Sequence, residues 1–130
     1  MICLDSDCII DFLKGKKEAI EAIKRYNNQL FTTEINLFEI FFGIYNQKEI
    51  SEKEKLTAEE FFDAISTFSF SRGCGEISAR ILSSLEKKGL RIDQNDAFTA
   101  SIILRNGFDK ILTRNKKHFS RIKNLKVITY

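Results

Sequence analysis

The chain has 130 residues, 43% of them hydrophobic and 30% charged, a balance that suits a folded globular protein and excludes disordered and fibrous classes. That length is enough for one compact domain spanning 1–130 to bury a core without disulfides or structural zinc. The formal charge of +3 conceals a split: residues 105–130 carry eight Lys or Arg against Asp109 alone, a net +7, while the remainder is −4.

A basic sector on an otherwise acidic body suits contact with a polyanion such as RNA. Cys3, Cys8 and Cys74 are odd in number and form no Cys-x-x-Cys pair, so neither a disulfide framework nor a zinc site is indicated. A reducing, cytoplasmic location is expected. No basic leader precedes an apolar run, and no apolar stretch reaches membrane-spanning length.

Residues 1–5 form a short apolar strand ending in Asp5, and Asp5-Ser6-Asp7 offers N-caps for a helix through Ile9, Ile10, Phe12 and Leu13 that stops near Gly15. A second helix is predicted over Lys17–Tyr26 from Ala19, Ile20, Ala22 and Ile23. Leu30–Thr33 reads as a strand, with Thr32 or Thr33 capping a helix that runs to about Asn46. Glu52–Ser66 reads as an amphipathic helix, Phe68–Arg72 as a strand, Glu76–Lys88 as a helix ended by Gly89, and Asp93–Asn106 as a helix ended by Gly107. Lys110–Thr113 is a strand, 116–122 a turn or short helix, and Lys126–Tyr130 a last strand. Strands alternating with helices predict an α/β class, with four to five mostly parallel strands covered by helices on both faces.

In such a sheet ligands bind beyond the carboxyl ends of the strands, which places Asp5 and Asn115 at one edge. Glu39 interrupts a helix that is otherwise largely Ile, Leu, Phe and Tyr; Asn36, Glu39 and Gly43 form its single polar stripe. Asp96 stands in the first turn of the helix Ala97–Leu104, where Asp93 and Asp96 also fit a local capping arrangement. If the fold gathers Asp5, Glu39 and Asp96, each pair at ~5 Å repels by roughly 3 kcal/mol at an effective dielectric near 20. A cation or raised pKa values must then compensate. Mg2+ or Mn2+ suits such oxygen donors, and the one histidine, His118, cannot build a zinc site. A pair of such ions can activate water and clamp a phosphodiester.

At these residues the chain resembles the PIN-domain family, and within it the VapC-type ribonuclease toxins. The likeness runs through Ile2-Cys3-Leu4-Asp5-Ser6-Asp7, Thr32-Thr33 followed by Glu39 and Gly43, Asp96-Ala97-Phe98-Thr99-Ala100-Ser101, and Leu112-Thr113-Arg114-Asn115 with Phe119. It implies a three-layer α/β/α sandwich and an Mg2+- or Mn2+-dependent endoribonuclease blocked by a cognate VapB-like antitoxin. By resemblance Asp5, Glu39 and Asp96 are metal ligands and Thr113 orients ligands or water. Asn115 stands where the family often has a fourth acid. Asp7 departs from the usual Asn.

Asp7 and Asp93 are assigned to capping, Ser6 to a hydrogen-bonded turn, and His118 to the surface. Phe38, Phe41, Phe42, Phe61 and Phe62 are expected in the core, with surplus apolar surface serving a homodimer or the antitoxin. Leu4-Asp5-Ser6-Asp7 also resembles the start of haloacid dehalogenase-type phosphatases, where the first Asp is a nucleophile and the second a general acid. A non-catalytic PIN-type RNA-binding module is the third reading.

Overall fold

A computed structural model describes residues 1–130. Five strands, β1 (Ile2–Leu4), β2 (Leu30–Thr33), β3 (Ser66–Phe68), β4 (Lys110–Leu112) and β5 (Lys126–Ile128), form one sheet of order β3-β2-β1-β4-β5. Every pairing is parallel, so each connection must cross over the sheet. The helices do this: α1 (Ser6–Leu13), α2 (Lys17–Arg25), α3 (Glu34–Tyr45), α4 (Glu52–Asp63), α5 (Cys74–Lys87), α6 (Gln94–Arg105) and α7 (Lys116–Phe119).

The three central strands, β2, β1 and β4, are short and largely buried on both faces, the edge strands β3 and β5 are half-exposed, and the strand period of two divides the core. Ile2, Leu4 and Leu112 join Ile9, Ile40, Ile44 and Phe62 on the side of α1–α4. Cys3 and Ile111 join Phe31, Leu85, Ile103 and Phe119 on the side of α5–α7. The result is the expected three-layer sandwich. Phe31, completely buried and packed against Phe68 and Phe108 at 5.0 Å each, is one of the largest core side chains; such burial contributes roughly 2–3 kcal/mol.

β3 lies earlier than the predicted 68–72, and α4 ends at Asp63 rather than Ser66. The reason is register: Ser66, Thr67 and Phe68 pair with Phe31, Thr32 and Thr33, which seats Phe68 in the aromatic group of the second core. Phe70 leaves the ladder and packs on Phe98 of α6, 4.9 Å between centroids.

The aromatic assignment for α3 also needs correction. Phe62 is buried and Phe41 and Phe61 pack against the first core, but Phe38, Phe42 and Tyr45 are 53%, 58% and 52% exposed. One stripe of α3, Asn36, Ile40 and Ile44, meets the sheet, and a helix of 3.6 residues per turn turns positions 38, 42 and 45 away from it. No helix is long and apolar enough to cross a membrane.

Candidate metal centre at the strand switch point

The chain leaves β1 toward β2 and β3 on one side, then returns to place β4 and β5 on the other. The carboxyl ends of β1 and β4 therefore flank the point where strand order reverses, the usual ligand crevice of an open parallel sheet. Asp5 follows β1 and Thr113 follows β4, joined by a hydrogen bond from Asp5 N–H to the Leu112 carbonyl.

Asp5 is 6% exposed. Its Oδ2 accepts the Thr113 hydroxyl at 2.7 Å and its Oδ1 accepts the Asn36 amide at 3.1 Å. Asn36 is locked in turn: Thr33, the N-cap of α3, accepts its backbone N–H and donates its hydroxyl to Oδ1. The Asn36 amide also donates to Ser6 Oγ, and Ser6 donates to Glu39 Oε1 at 2.8 Å. A continuous hydrogen-bond chain thus connects Asp5 with Glu39 across α1 and α3. Its intermediary, Asn36, belongs to the polar stripe that sequence reading identified without giving it a partner.

Asp96 is buried in the first turn of α6. Its Oδ2 accepts the Asn115 amide at 3.3 Å and lies 2.7 Å from His118 Nδ1. His118, expected on the surface, is three-quarters buried against Asp96 and stands 3.9 Å from Asp93. The ligating atoms of Asp93, Asp96 and His118 all lie within 4.8 Å of one another. Asp93 occupies the N-cap position of α6 but makes no side-chain cap bond.

Asp7 is not a cap either. Its Oδ2 accepts the backbone N–H groups of Arg114 and Asn115 at 2.9 and 3.1 Å, and stands 3.1 Å from the Thr113 hydroxyl. The carboxylate therefore fastens α1 to the loop after β4. Those donors come from residues more than a hundred positions away, and no local pattern announces them. An Asp7 so engaged is not free to serve as the general acid that the phosphatase reading requires.

The electrostatics follow from this placement. Burial, then the charge of Asp7, pushes the Asp5 carboxyl up to about 7, against the opposing Thr113 hydrogen bond. Burial raises Glu39, with the Ser6 bond opposing and the charge of Asp96 adding. Burial also raises Asp96, while the contact with His118 opposes and Asp93 and Asp7 add. Asp5, Asp7, Glu39 and Asp96 have no Lys or Arg ion-pair partner. The buried carboxylates are satisfied in hydrogen bonds but not in charge, and that donor chemistry fits a divalent cation.

A second buried aspartate behaves differently. Asp11 accepts the Tyr130 hydroxyl at 2.7 Å and pairs with Arg114 Nε at 2.9 Å and Lys16 Nζ at 3.1 Å. Against the upward push of burial, these partners hold its carboxyl below the ordinary range.

Comparison with known proteins agrees with this architecture. The PIN domain family profile matches residues 2–125, and the chain belongs to that family. It is 30% identical over 99 residues to Ribonuclease VapC2 of Rickettsia felis, covering 76% of this chain and 72% of that protein. Its fold superposes with a TM-score of 0.88, at 25% identity over 100% of this chain and 99% of the other, on a chain in the crystal structure of VapBC2 from Rickettsia felis bound to a DNA fragment from their promoter. A chain of the DNA-bound VapBC of Salmonella typhimurium shares the fold at TM-score 0.86 and 19% identity, covering 99% and 98%.

Proposed function

We propose that this chain is a VapC-type endoribonuclease, acting in the cytoplasm as a homodimer and blocked by a VapB-like antitoxin. Asp5, Glu39 and Asp96 hold Mg2+ or Mn2+ in this reading. The observation that carries it is the set of carboxylates at the strand switch point that no Lys or Arg neutralises. The 30% identity to a ribonuclease supports the reaction class, and the likeness to a VapBC2 complex supports the partner.

The chemistry supplied by a bound divalent ion is that of a Lewis acid, polarising a phosphodiester oxygen and making water a better nucleophile. The protein's own part is orientation. Asn36 and Thr113 fix the two oxygens of Asp5, Ser6 fixes Glu39, and Asn115 contacts Asp96. Asp7 secures the loop carrying Thr113 and Asn115. Exposed Lys116 and Lys117, one and two residues past Asn115 and free of carboxylate partners, meet the RNA phosphates. A groove of about 530 Å3 between α1, α3 and α4 is lined by Ile10, Leu13, Ile44 and Glu39 itself; a segment of antitoxin seated there reaches a site carboxylate. The exposed aromatic face of Phe38, Phe42 and Tyr45 suits a second copy.

The direct test is cleavage of RNA by purified protein with Mg2+ or Mn2+ and with chelator. Asp5→Asn, Glu39→Gln and Asp96→Asn are each expected to abolish cutting while circular dichroism stays native. A folded variant that cuts at the wild-type rate removes that residue from the ligand set. Absence of metal-dependent cutting by the wild type, together with intact RNA binding, supports a non-catalytic module instead.

A further inference from the structure

Along α6 a strip of side chains leads away from the carboxylates and takes no part in holding them. Asn95, beside Asp96, reaches Glu39 with its side chain, and one turn further on Phe98 packs edge-on against Phe70, 4.9 Å between centroids at 64°. Phe70 is 40% exposed. The segment after β3 then follows the helix, with Phe70 against Phe98 and Gly73 against Arg105. Seven residues of helix put Arg105 roughly 10 Å beyond Phe98, a length that three extended residues past Phe70 also span.

The guanidinium at the far end of this strip is held in place. Arg105 Nε donates to the Arg72 carbonyl at 3.1 Å, and Gly73 keeps room for it, since a Cβ there would stand 2.7 Å from that nitrogen. Both Nη groups of Arg105 are left free. Arg80, Arg91 and Arg114 are paired with Glu76, Glu86 and Asp11, whereas exposed Arg72 and Arg105 have no carboxylate partner.

We propose that Phe70 and Phe98, with Arg72 and Arg105, form a track for the single-stranded RNA that flanks the cleaved bond. An exposed aromatic ring stacks on a base of any sequence and unpaired guanidiniums take the phosphates, the combination by which single strands are held. The track rests on the proposed ribonuclease and deepens it by assigning the path of the substrate. α7 joins β4 to β5, whereas residues 69–73 leave β3 at the opposite edge of the sheet. RNA held by Lys116 and Lys117 on one side and by this track on the other passes across the carboxylates.

The test is fluorescence anisotropy of the full chain with a labelled oligoadenylate of about ten nucleotides, in chelator so that nothing is cut, alongside KM for cleavage of the same RNA with Mn2+. Phe70→Ala is expected to weaken binding about 5- to 100-fold and to raise KM in step. Phe70→Leu, which keeps an apolar contact with Phe98 but offers no ring, should also bind weakly, and Phe70→Tyr should bind as wild type does. Arg105→Gln should lower the salt slope by about 0.7, and Arg105→Lys should restore it. Folded Phe70→Leu and Arg105→Gln that match wild type in both affinity and KM overturn the track. If wild type still cuts RNA in that case, the ribonuclease reading stands without it; wild type that neither binds nor cuts RNA sinks both. Loss of a dimer in sedimentation by Phe70→Leu, with RNA affinity unchanged, also overturns the track and gives this face to a second copy.

Discussion

Asp5 and Asp11 are six positions apart, both on the segment leaving β1, and both nearly closed to solvent at 6% and 2% exposure. Their surroundings are opposite. Asp11 is met by Lys16, Arg114 and the Tyr130 hydroxyl and is held below its ordinary pKa. Asp5 is met by neutral donors and by another carboxylate, and is pushed to about 7. The fold can clearly bring cations to a buried aspartate, since Arg114 serves Asp11 from a position adjacent to Thr113, which serves Asp5. Asp5 is left as a buried carboxylate with no counter-charge from the chain, which is the condition the proposed metal site requires.

The sharpest way to break this contrast is to neutralise each carboxylate. Asp5→Asn is expected to lower metal-dependent RNA cleavage by at least about 100-fold and to leave the metal-free protein as stable as wild type or more so. Asp11→Asn should do the reverse, costing about 1–3 kcal/mol in urea denaturation, less than a fully buried pair because Lys16 and Arg114 are half exposed. If Asp5→Asn unfolds the protein and Asp11→Asn does not, the assignment of structure to one and function to the other is wrong.

A pH series separates the two aspartates next. The folded state holds the Asp5 proton more tightly than the unfolded chain, so that contribution is complete below about 3.8 and is lost as pH rises through about 7. Glu39 and Asp96 act in the same direction. Asp11 has the opposite sign: its contribution is present above the ordinary carboxylate range and lost on acidification. Between pH 5 and 8 the metal-free protein should therefore lose stability, by a few kcal/mol at most, and Mn2+ should restore more of it at pH 8 than at pH 6. Melting curves that rise with pH across this window contradict the placement of Asp5.

Smaller effects complete the comparison. Tyr130→Phe removes one donor from Asp11 and should cost about 1 kcal/mol without changing cleavage. Replacing Lys116 and Lys117 with Ala should weaken RNA affinity and flatten its salt dependence by up to about two counterions. An unchanged salt slope removes these lysines from the RNA contact.

The candidate acids stand out in the sequence because each breaks an apolar pattern: Asp5 follows β1, Glu39 lies on the one polar stripe of α3, and Asp96 stands in the first turn of the buried helix α6. The layer order followed from alternating strands and helices, while β3 slipped because its pairing with β2, a non-local fact, chose Ser66–Phe68 over the more aromatic stretch beyond. What stayed hidden was long-range. Asp7 looks like a cap until the backbone of residues 114 and 115 is brought to it, and His118 looks like surface until α7 is laid against α6. Asp11 did carry a signal: it lies three residues after Cys8 on the face of α1 that turns inward, where a charge needs a partner.

The bond between Thr113 and Asp5 joins residues 108 positions apart, and it has a temporal consequence. Asp5 and Glu39 are made early, whereas the strand that completes their crevice is among the last to be synthesised. A chain cut short anywhere before β4 lacks Thr113 and the strand that carries it, so the crevice cannot assemble until synthesis is nearly complete.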